Sequence, residues 1–184
     1  MDLVVRVTEH RLTDARYSPS PHQDSRPSEE ISLIVVHGIS LPLGKFDGNE
    51  VEELFLGQLD TSLPALQDLQ DIRVSSHLFI RRSGEVVQFV DFDRRAWHAG
   101  ESEFRGRSCC NDFSIGIELE GTDSTAYEDI QYSQLARVCQ ALIGEYGIRE
   151  VRGHCHIAPG RKTDPGPTFR WRKLERLLAQ ALCG

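Results

Sequence analysis

The stretch Ile31-Ser32-Leu33-Ile34-Val35-Val36 decides the fold of this chain, and His37 follows it directly. The run is nearly continuous in β-branched and other apolar residues, whereas a strand with one face in water alternates apolar with polar side chains. We therefore expect a strand that is buried on both faces, in the interior of a sheet. The run stops at His37. Ligand sites in α/β sheets collect at the ends of strands, so this histidine is a candidate functional residue.

The rest of the chain supplies further strands and helices around this run. Strand-like patterns cover residues 74–80, 85–90, 113–119 and 148–154, and Ser83-Gly84 suits a tight hairpin turn between the first two. Helical patterns cover 49–57, a segment that ends at Gly147 with Thr125 and Glu128 as a candidate capping box, and about 168–182. The segments between them, including 38–48, 58–72 and 91–112, are predicted to be loops. The predicted fold class is α/β, with a central mixed β-sheet flanked by helices.

Length and charge limit the organisation of the chain and its partners. A chain of 184 residues favours one domain, residues 1–184, with residues 1–30 as an irregular N-terminal arm packed on it. The formal net charge of −7 argues against nucleic acid as the main partner. No apolar run approaches the roughly 20 residues that span a bilayer, and the N-terminus lacks the basic and apolar regions of a signal peptide.

The cysteine content favours a reducing compartment such as the cytoplasm. The five cysteines include the adjacent pair Cys109 and Cys110, and an odd number with an adjacent pair fits reduced thiols better than a disulfide framework. We expect a cytoplasmic monomer that binds no membrane.

The segment 153–166 holds the densest set of chemically active side chains. They are His154, Cys155, His156, Lys162 and Asp164. A hydrolytic zinc site needs about three protein ligands and one open position for water. His154, at the predicted end of a strand, and Asp164, in the following loop, are candidates for two ligands. Spacing alone leaves the third ligand open, and the competing residues are His37, His77, His98 and His156.

Two carboxylates and one lysine are candidates for catalysis. Lys162 could direct a cation at the oxyanion that forms when water attacks a carbonyl, although most lysines are solvated surface residues. Alternation along a strand puts Glu118 and Glu120 on one face. Because buried carboxylates are costly unless they are paired, one is a candidate general base and the other a structural partner. An exposed strand face is the alternative explanation.

Three residues in predicted loops or at loop ends are candidates for substrate contact. Trp97 could pack on a sugar ring, although many loop tryptophans only close the edge of a core. Arg73 and Arg107 could each bind a substrate carboxylate through two parallel hydrogen bonds. Taken singly, each arginine is better explained as a surface charge.

Several segments together resemble the AmpD-type N-acetylmuramoyl-L-alanine amidases of the zinc amidase and peptidoglycan-recognition superfamily. The similarity runs from about Pro19 to the last helix, in the same order and with similar spacing. The matching segments are 33–42 (LIVVHGISLP), 73–77 (RVSSH), 94–100 (RRAWHAG), 110–123 (CNDFSIGIELEGTD), 153–155 (GHC), 157–159 (IAP) and 162–166 (KTDPG).

The resemblance implies a zinc amidase fold and a particular division of roles. It implies zinc held by His37, His154 and Asp164, with Glu118 activating water and Lys162 stabilising the oxyanion. His77, His98 and His156 would then not be ligands. The residues implied or proposed to contact substrate are Gly38, Arg73, Trp97, Arg107 and Ala158.

The implied substrate is a small muropeptide, 1,6-anhydro-N-acetylmuramoyl peptide, formed during cell-wall turnover. The bond to be cleaved joins the lactyl group of the muramic acid to L-alanine. The predicted cytoplasmic location agrees with the branch of the family that recycles peptidoglycan.

Departures from the family pattern concern substrate contacts rather than the implied ligands. Gly38 stands where an asparagine is common, and His156 stands where an aspartate is common. Two other functions stay open at this point: a recognition module that binds peptidoglycan without cleaving it, and an exported amidase that acts on the intact wall. Metal content separates the first from an enzyme, and activity on insoluble sacculi would favour the second.

Overall fold

The computed structural model describes residues 5–180. The strands are β1 (Val7–Thr8), β2 (Arg11–Leu12), β3 (Arg16–Tyr17), β4 (Gln23–Ser25), β5 (Leu33–Ile39), β6 (Leu78–Ile80), β7 (Val86–Gln88), β8 (Arg94–Ala96), β9 (Glu103–Phe104), β10 (Arg107–Ser108), β11 (Ser114–Glu120) and β12 (Glu150–Gly153). The α-helices are α1 (Glu50–Leu56), α2 (Asp129–Tyr146), α3 (His154–Ile157) and α4 (Trp171–Gln180), and 3-10 helices cover Pro64–Leu69 and Cys110–Asp112. None of the helices in this range has the length and apolar character needed to cross a membrane.

The central sheet has six strands in the order β12, β5, β11, β6, β7 and β3. β5 runs parallel to β11 and to β12, and β11 runs parallel to β6. β6 and β7 form an antiparallel hairpin, and β3 joins the far edge parallel to β7. The sheet is therefore mixed, and the predicted α/β architecture with helices flanking a central sheet is confirmed.

Both faces of β5 are buried, as its apolar run predicts. Ile34 and Val36 belong to the core that α2 and α4 cover. Leu33 and Val35 point to the opposite side, where they join a second cluster that includes Ile157 of α3. Since side chains alternate along a strand, His37 lies on the same face as Leu33 and Val35, away from α2 and α4.

β11 presents its functional side chains on that same face. It pairs with β5 in a register that sets Glu118 opposite His37. Ile115, Ile117 and Leu119 enter the core beneath α2 and α4. Alternation then turns Gly116 and Glu118 toward the face of His37, as the sequence pattern predicts.

The predicted ends of strands and helices differ from the structure at several points. β5 does not stop at His37, because its pairing with β11 continues to Ile39. The predicted strand 74–80 is reduced to β6, and the predicted loop 91–112 contains β8, β9 and β10. The predicted last helix begins at Trp171 rather than at residue 168, and residues 181–182 lie outside the described range.

Two local predictions near functional segments were wrong. β12 ends at Gly153, and His154 begins α3 instead of ending a strand. His154 and His156 therefore lie in one short helix rather than in extended backbone. The capping box of α2 is formed by Glu128 and Gln131 rather than by Thr125 and Glu128. The predicted C-terminal glycines of α1 and α2 are confirmed, with φ of 68° at Gly57 and 66° at Gly147.

Within its described residues, the predicted N-terminal arm contains β1 to β4 and pairs with the rest of the chain in two places. Within it, β3 forms the edge of the central sheet, and β4 pairs antiparallel with β8. Arg26 extends inward and donates hydrogen bonds to the carbonyls of Phe92, Asn111, Asp112 and Ser114. These bonds tie the arm to the loop that precedes β11.

Candidate metal centre

Three side chains converge beside β5 and β12. His37 projects from β5, His154 begins α3 directly after β12, and Asp164 lies in the loop after α3. His37 Nδ1 and His154 Nδ1 are 3.0 Å apart, and each lies 3.1 Å from Asp164 Oδ2. Both imidazoles are buried. Within residues 5–180, this is the group of histidine, cysteine and carboxylate side chains whose ligand atoms are placed to hold one metal ion.

The size and chemistry of this triangle fit a tetrahedral divalent cation. Ligand atoms about 2.0–2.1 Å from such a zinc ion lie about 3.3 Å from one another, which is close to the three distances. Burial lowers the pKa of His37 to about 4 and outweighs the opposing effect of Asp164. The imidazole is therefore neutral near pH 7 and carries the free lone pair that a metal ligand needs.

Asp164 completes the donor set with a charged oxygen. Burial would raise the pKa of this carboxyl group, but hydrogen bonds and charge interactions with His154 and His37 lower it to a greater extent. Two imidazole nitrogens and one carboxylate oxygen form a donor set that zinc prefers, and a fourth position stays open for water or substrate.

Glu118 lies beside the triangle on β11. Its Oε1 is 3.9 Å from His37 Nδ1, whereas its buried Oε2 has no hydrogen-bond partner among the described residues. Burial, followed by the charge of Asp164, raises the pKa of Glu118 well above its usual value, and Lys162 acts in the opposite direction. A raised pKa brings a carboxyl group closer to the pH at which a general base works.

Glu120, the second carboxylate on this face, is already engaged. Its Oε1 accepts a hydrogen bond of 3.0 Å from Asp47 N, and its Oε2 accepts one of 3.0 Å from Arg82 N. It therefore anchors two loops to β11. Of the two carboxylates that the sequence singles out, Glu118 is the one that lies beside the triangle and has an oxygen without a hydrogen-bond partner among the described residues.

Lys162 is exposed in a groove beside Asp164. The groove has a volume of about 620 Å³. Its lining includes Gly38, Ser40, Leu43, Thr122, Arg161, Lys162 and Asp164. The Lys162 backbone is fixed by a 3.0 Å hydrogen bond from its N–H to the carbonyl of Ala158. Within residues 5–180 the ammonium group forms no ion pair, so it is available to a ligand in the groove.

Gly38 has a packing reason as well as a place in the groove. A Cβ atom at this position would lie 2.1 Å from the Tyr127 hydroxyl oxygen. That hydroxyl donates a hydrogen bond of 2.9 Å to the carbonyl of Pro165, next to Asp164. Glycine at position 38 therefore lets Tyr127 support the loop that carries the third ligand candidate.

The other predicted substrate residues lie outside the lining of this groove. Arg73 lines a separate cavity with His22 and Leu59. Trp97 stacks on His22 with ring centroids 6.1 Å apart. Arg107 forms a 2.8 Å ion pair with Glu30 and covers the Phe113 ring at 3.9 Å. Ala158 is buried and contributes the carbonyl that holds Lys162. Substrate contact by these residues stays a prediction.

Two other residues of segment 153–166, His156 and Cys155, lie outside the triangle. His156 Nδ1 accepts a 2.9 Å hydrogen bond from Gly153 N, and its ring packs on Trp171. Cys155 is half-buried, and burial raises the pKa of its thiol. Neither residue belongs to the converging group of ligand atoms.

The remaining competing histidines lie deeper in the same face. His77 is buried, with Nδ1 accepting a 3.0 Å hydrogen bond from Gly116 N and Nε2 placed 3.1 Å from the carbonyl of Arg94. His98 lies closer to the triangle, because its Nδ1 is 2.9 Å from His37 Nε2.

Sequence reasoning missed how the two imidazoles are held in place. His37 Nε2 contacts His98, and His154 Nε2 lies 3.0 Å from the carbonyl of Ala99. The sequence singles out Trp97 in segment 97–100 as a candidate substrate contact and His98 as a competing ligand, and neither interpretation predicts this support. A backbone carbonyl leaves no trace in the sequence, so only the histidine beside it could have drawn attention to this contact.

Comparison with known proteins places this geometry in one family. The family model described as N-acetylmuramoyl-L-alanine amidase matches residues 27–167. The 1,6-anhydro-N-acetylmuramyl-L-alanine amidase AmpD of Salmonella typhimurium is 55% identical over 172 residues, which cover 91% of this chain and 92% of that protein.

Solved structures agree with the sequence comparison. The crystal structure of a selenomethionine AmpD derivative matches with a TM-score of 0.92 and 54% identity, over 94% of this chain and 98% of that one. The amidase AmiD from E. coli, in complex with anhydro-N-acetylmuramic acid-L-Ala-D-gamma-Glu-L-Lys, matches with a TM-score of 0.59 and 29% identity, over 95% of this chain and 65% of that one. The chain belongs to the N-acetylmuramoyl-L-alanine amidase family and is an amide hydrolase.

Proposed function

We propose that this amidase uses zinc to hydrolyse the amide bond between the lactyl group of 1,6-anhydro-N-acetylmuramic acid and L-alanine of the stem peptide. The observation that carries this proposal is the triangle of His37, His154 and Asp164 beside a groove. The names of the most similar relatives and the muropeptide in the AmiD complex support the choice of substrate.

His37, His154 and Asp164 are the proposed zinc ligands. Zinc bound there would act as a Lewis acid toward the scissile carbonyl and would lower the pKa of water toward about 7. The chain itself contributes rigid positions for the ligands, since His37 lies within a paired strand and His154 begins a helix. Rigid ligand positions would keep the site preorganised, so that metal and substrate could bind without a search through conformations.

Glu118 is the proposed general base. Its carboxylate lies next to His37 and has an unpaired oxygen, so it can take the proton of the attacking water. Its raised pKa favours holding that proton on the carboxyl group, which then donates it to the amide nitrogen as the C–N bond breaks, so that L-alanine leaves as a neutral amine.

Lys162 is the proposed oxyanion stabiliser. Its ammonium group is exposed in the groove beside Asp164 and has no competing ion pair within the described residues. A cation held by a fixed loop stabilises the negative charge that develops on the carbonyl oxygen, because the charge meets it without reorganisation of the site. Gly38, Arg73, Trp97, Arg107 and Ala158 stay proposed substrate contacts.

A direct assay tests the proposed reaction. We expect the zinc-loaded protein to release free stem peptide from 1,6-anhydro-N-acetylmuramoyl tripeptide, as measured by chromatography. Chelation should stop the release, and added zinc should restore it. A protein that binds the muropeptide without metal and never releases peptide would instead support the recognition module. Faster release from insoluble sacculi than from the small fragment would favour the exported, wall-degrading alternative.

The proposal extends to the partners and the location of the protein. We propose that residues 1–184 act as one amidase domain, as a monomer, without nucleic acid or a membrane. The role in cytoplasmic recycling of cell-wall fragments stays a prediction from the resemblance. Sedimentation of the purified protein tests the monomer, and fractionation of cells that express it tests the location.

A further inference from the structure

Two consecutive residues contact both imidazoles of the triangle on the side away from the candidate metal position. His98 Nδ1 lies 2.9 Å from His37 Nε2, and the carbonyl of Ala99 lies 3.0 Å from His154 Nε2. The dipeptide His98-Ala99 is itself held at one point. Asn111 Oδ1 accepts hydrogen bonds from His98 N at 3.1 Å and from Ala99 N at 2.8 Å.

The direction of the hydrogen bonds at His37 is fixed by a backbone carbonyl. The Ser114 hydroxyl lies 2.6 Å from the carbonyl of Cys110, which can only accept, so the hydroxyl proton points there. Ser114 Oγ is then an acceptor for His98 Nε2, 3.2 Å away. With its proton on Nε2, His98 presents a bare Nδ1, which accepts from His37 Nε2. His37 Nδ1 is thereby left without a proton and faces His154 and Asp164.

At His154 a single contact also leaves Nδ1 without a proton. A carbonyl cannot donate, so the contact with Ala99 requires the proton of His154 on Nε2. Arg161 Nη2 also lies 3.4 Å from His154 Nε2, but it donates to the closer carbonyl of Ala99, at 2.7 Å, and so leaves His154 Nε2 to donate to that carbonyl. His154 Nδ1 is then bare as well.

The fold makes room for this arrangement. A Cβ atom on Gly116 would lie 2.4 Å from His98 Cγ and 2.6 Å from its Nδ1. The His98 ring therefore lies directly against the backbone of β11, in space that any larger residue at position 116 would occupy. The 3-10 helix Cys110–Asp112 supplies both the carbonyl that orients Ser114 and the side chain that holds His98-Ala99.

We propose that His98 and Ser114, together with the Ala99 carbonyl, are positioning groups that set the ring orientation and the tautomer of both histidine ligands before metal arrives. This proposal rests on the zinc site proposed above. Partners of this kind fix the tautomer of metal-binding histidines, and their loss weakens metal binding by about 10- to 100-fold.

Zinc affinity, measured by competition with a chromogenic chelator, tests the proposal together with the melting temperature of each variant. We expect Ser114→Ala and His98→Leu to lower zinc affinity by about 10- to 100-fold. His98→Asn should retain more affinity than His98→Leu, because the Asn Oδ1 can take the place of the lost ring acceptor. Ser102→Ala is the matched control, since Ser102 bonds to Cys110 N and to the Gly100 carbonyl but to neither imidazole.

Nitrogen-15 spectra of the histidines in the metal-free protein give a second readout that loss of stability would not produce. We expect His37, His98 and His154 to carry their protons on Nε2 in the wild type, and Ser114→Ala to mix the tautomers of His98 and His37. A wild-type His37 protonated on Nδ1 would overturn the proposal, as would Ser114→Ala and His98→Leu proteins that bind zinc as tightly as Ser102→Ala. A wild type that binds no zinc would overturn the proposed function. A wild type that binds zinc no more tightly than its Ser114→Ala and His98→Leu variants would overturn only the positioning roles, so the two failures are distinguishable.

Discussion

At the scale of single residues, the site takes its groups from two strands, the start of a helix and a loop. His37 and Glu118 lie opposite each other in paired strands, and His154 begins a helix. Asp164 and Lys162 come from the loop that follows α3, held by hydrogen bonds to Cys155 N and Ala158 O. The proposed roles therefore separate by element. The strands hold one proposed ligand and the proposed base, and the loop adds the charged ligand and the proposed oxyanion stabiliser.

Replacement of Asp164 by alanine tests the ligand role. The change removes a charged oxygen that lies 3.1 Å from both His37 Nδ1 and His154 Nδ1. Since a lost hydrogen-bond partner of a ligand already costs about 10- to 100-fold in affinity, we expect loss of a ligand itself to exceed that range. Metal analysis after dialysis against limiting zinc provides the measurement, and full occupancy in this variant would contradict the role.

Replacement of Lys162 by alanine should have the opposite signature. We expect zinc occupancy to stay near that of the wild type while kcat falls by about 100- to 1,000-fold, as for loss of an oxyanion donor. Lys173→Ala is the control, because Lys173 pairs with Asp129 on the far side of the sheet from the triangle. Equal loss of zinc from the Asp164 and Lys162 variants would show that the roles are not separate.

At the scale of elements, short contacts decide how the strands and helices meet the site. β11 carries Glu118 toward the triangle and Glu120 toward two loops, so one strand places the proposed base and the adjoining loops. α2 covers the other face of the sheet and contributes no group to the triangle. Changes in α2 should therefore affect stability, whereas changes between β5 and the Asp164 loop should reach the site.

Replacing each of the two glycines near the end of α2 by alanine should change the free energy of unfolding in opposite directions. Gly144 lies within the helix with open space around it, whereas Gly147 follows the helix with a φ of 66°. We expect Gly144→Ala to raise the free energy of unfolding by about 0.5–1 kcal/mol, because alanine is the better helix former. Gly147→Ala should lower it by about 1–2 kcal/mol, since the left-handed conformation strains a side chain. Urea unfolding measures both, and the same sign for both variants would contradict the assigned helix end.

A double-mutant cycle tests the contact between Gly38 and Tyr127. Tyr127→Phe removes the hydrogen bond to Pro165 and should cost about 0.5–1.5 kcal/mol. Gly38→Ala forces its Cβ against the Tyr127 hydroxyl and should cost about 1–3 kcal/mol, as overpacking does. In the double variant the clashing oxygen is gone, so the combined loss should be smaller than the sum of the two. Additive losses would mean that the two residues do not meet.

At the scale of the whole molecule, the sequence predicts the burial of strands and the faces of their side chains better than it predicts where helices begin and how they are capped. The run 31–36 and the alternation in β11 are properties of single strands, so they correctly indicate a buried central strand and the face that carries Glu118. The start of α3 at His154 and the capping box of α2 depend on which backbone groups find partners in three dimensions. The convergence of Asp164 with His37, 127 positions apart in the chain, follows from topology and was accessible only through the family resemblance.

Buried histidines should give the whole molecule a dependence of stability on pH. Burial, followed by the charge of Arg26, lowers the pKa of His77 well below 6.5. Below pH 6.5 the unfolded chain therefore binds a proton at His77 that the folded chain does not, and the free energy of unfolding falls as pH falls. One such group contributes at most about 1.4 kcal/mol per pH unit.

The comparison of wild type with His77→Asn isolates this effect in the metal-free protein. In the wild type, His77 Nδ1 accepts a hydrogen bond from Gly116 N, and the asparagine oxygen of the variant can accept the same bond. We expect the wild type to lose stability more steeply than the variant between pH 6.5 and 5, as measured by urea unfolding at several pH values. Parallel curves would mean that His77 takes up a proton in the folded state.

The position of His37 inside a paired strand has a consequence for the life of this enzyme in a cell. The sheet, its three hydrophobic clusters and the hydrogen bonds around His98 and Ala99 all consist of contacts between residues of the chain. We therefore expect loss of zinc to leave a folded molecule, unlike small zinc modules whose folding depends on the ion. Under zinc starvation the protein would then persist in a folded, inactive, metal-free form. Activity would return as soon as zinc binds, without new protein synthesis.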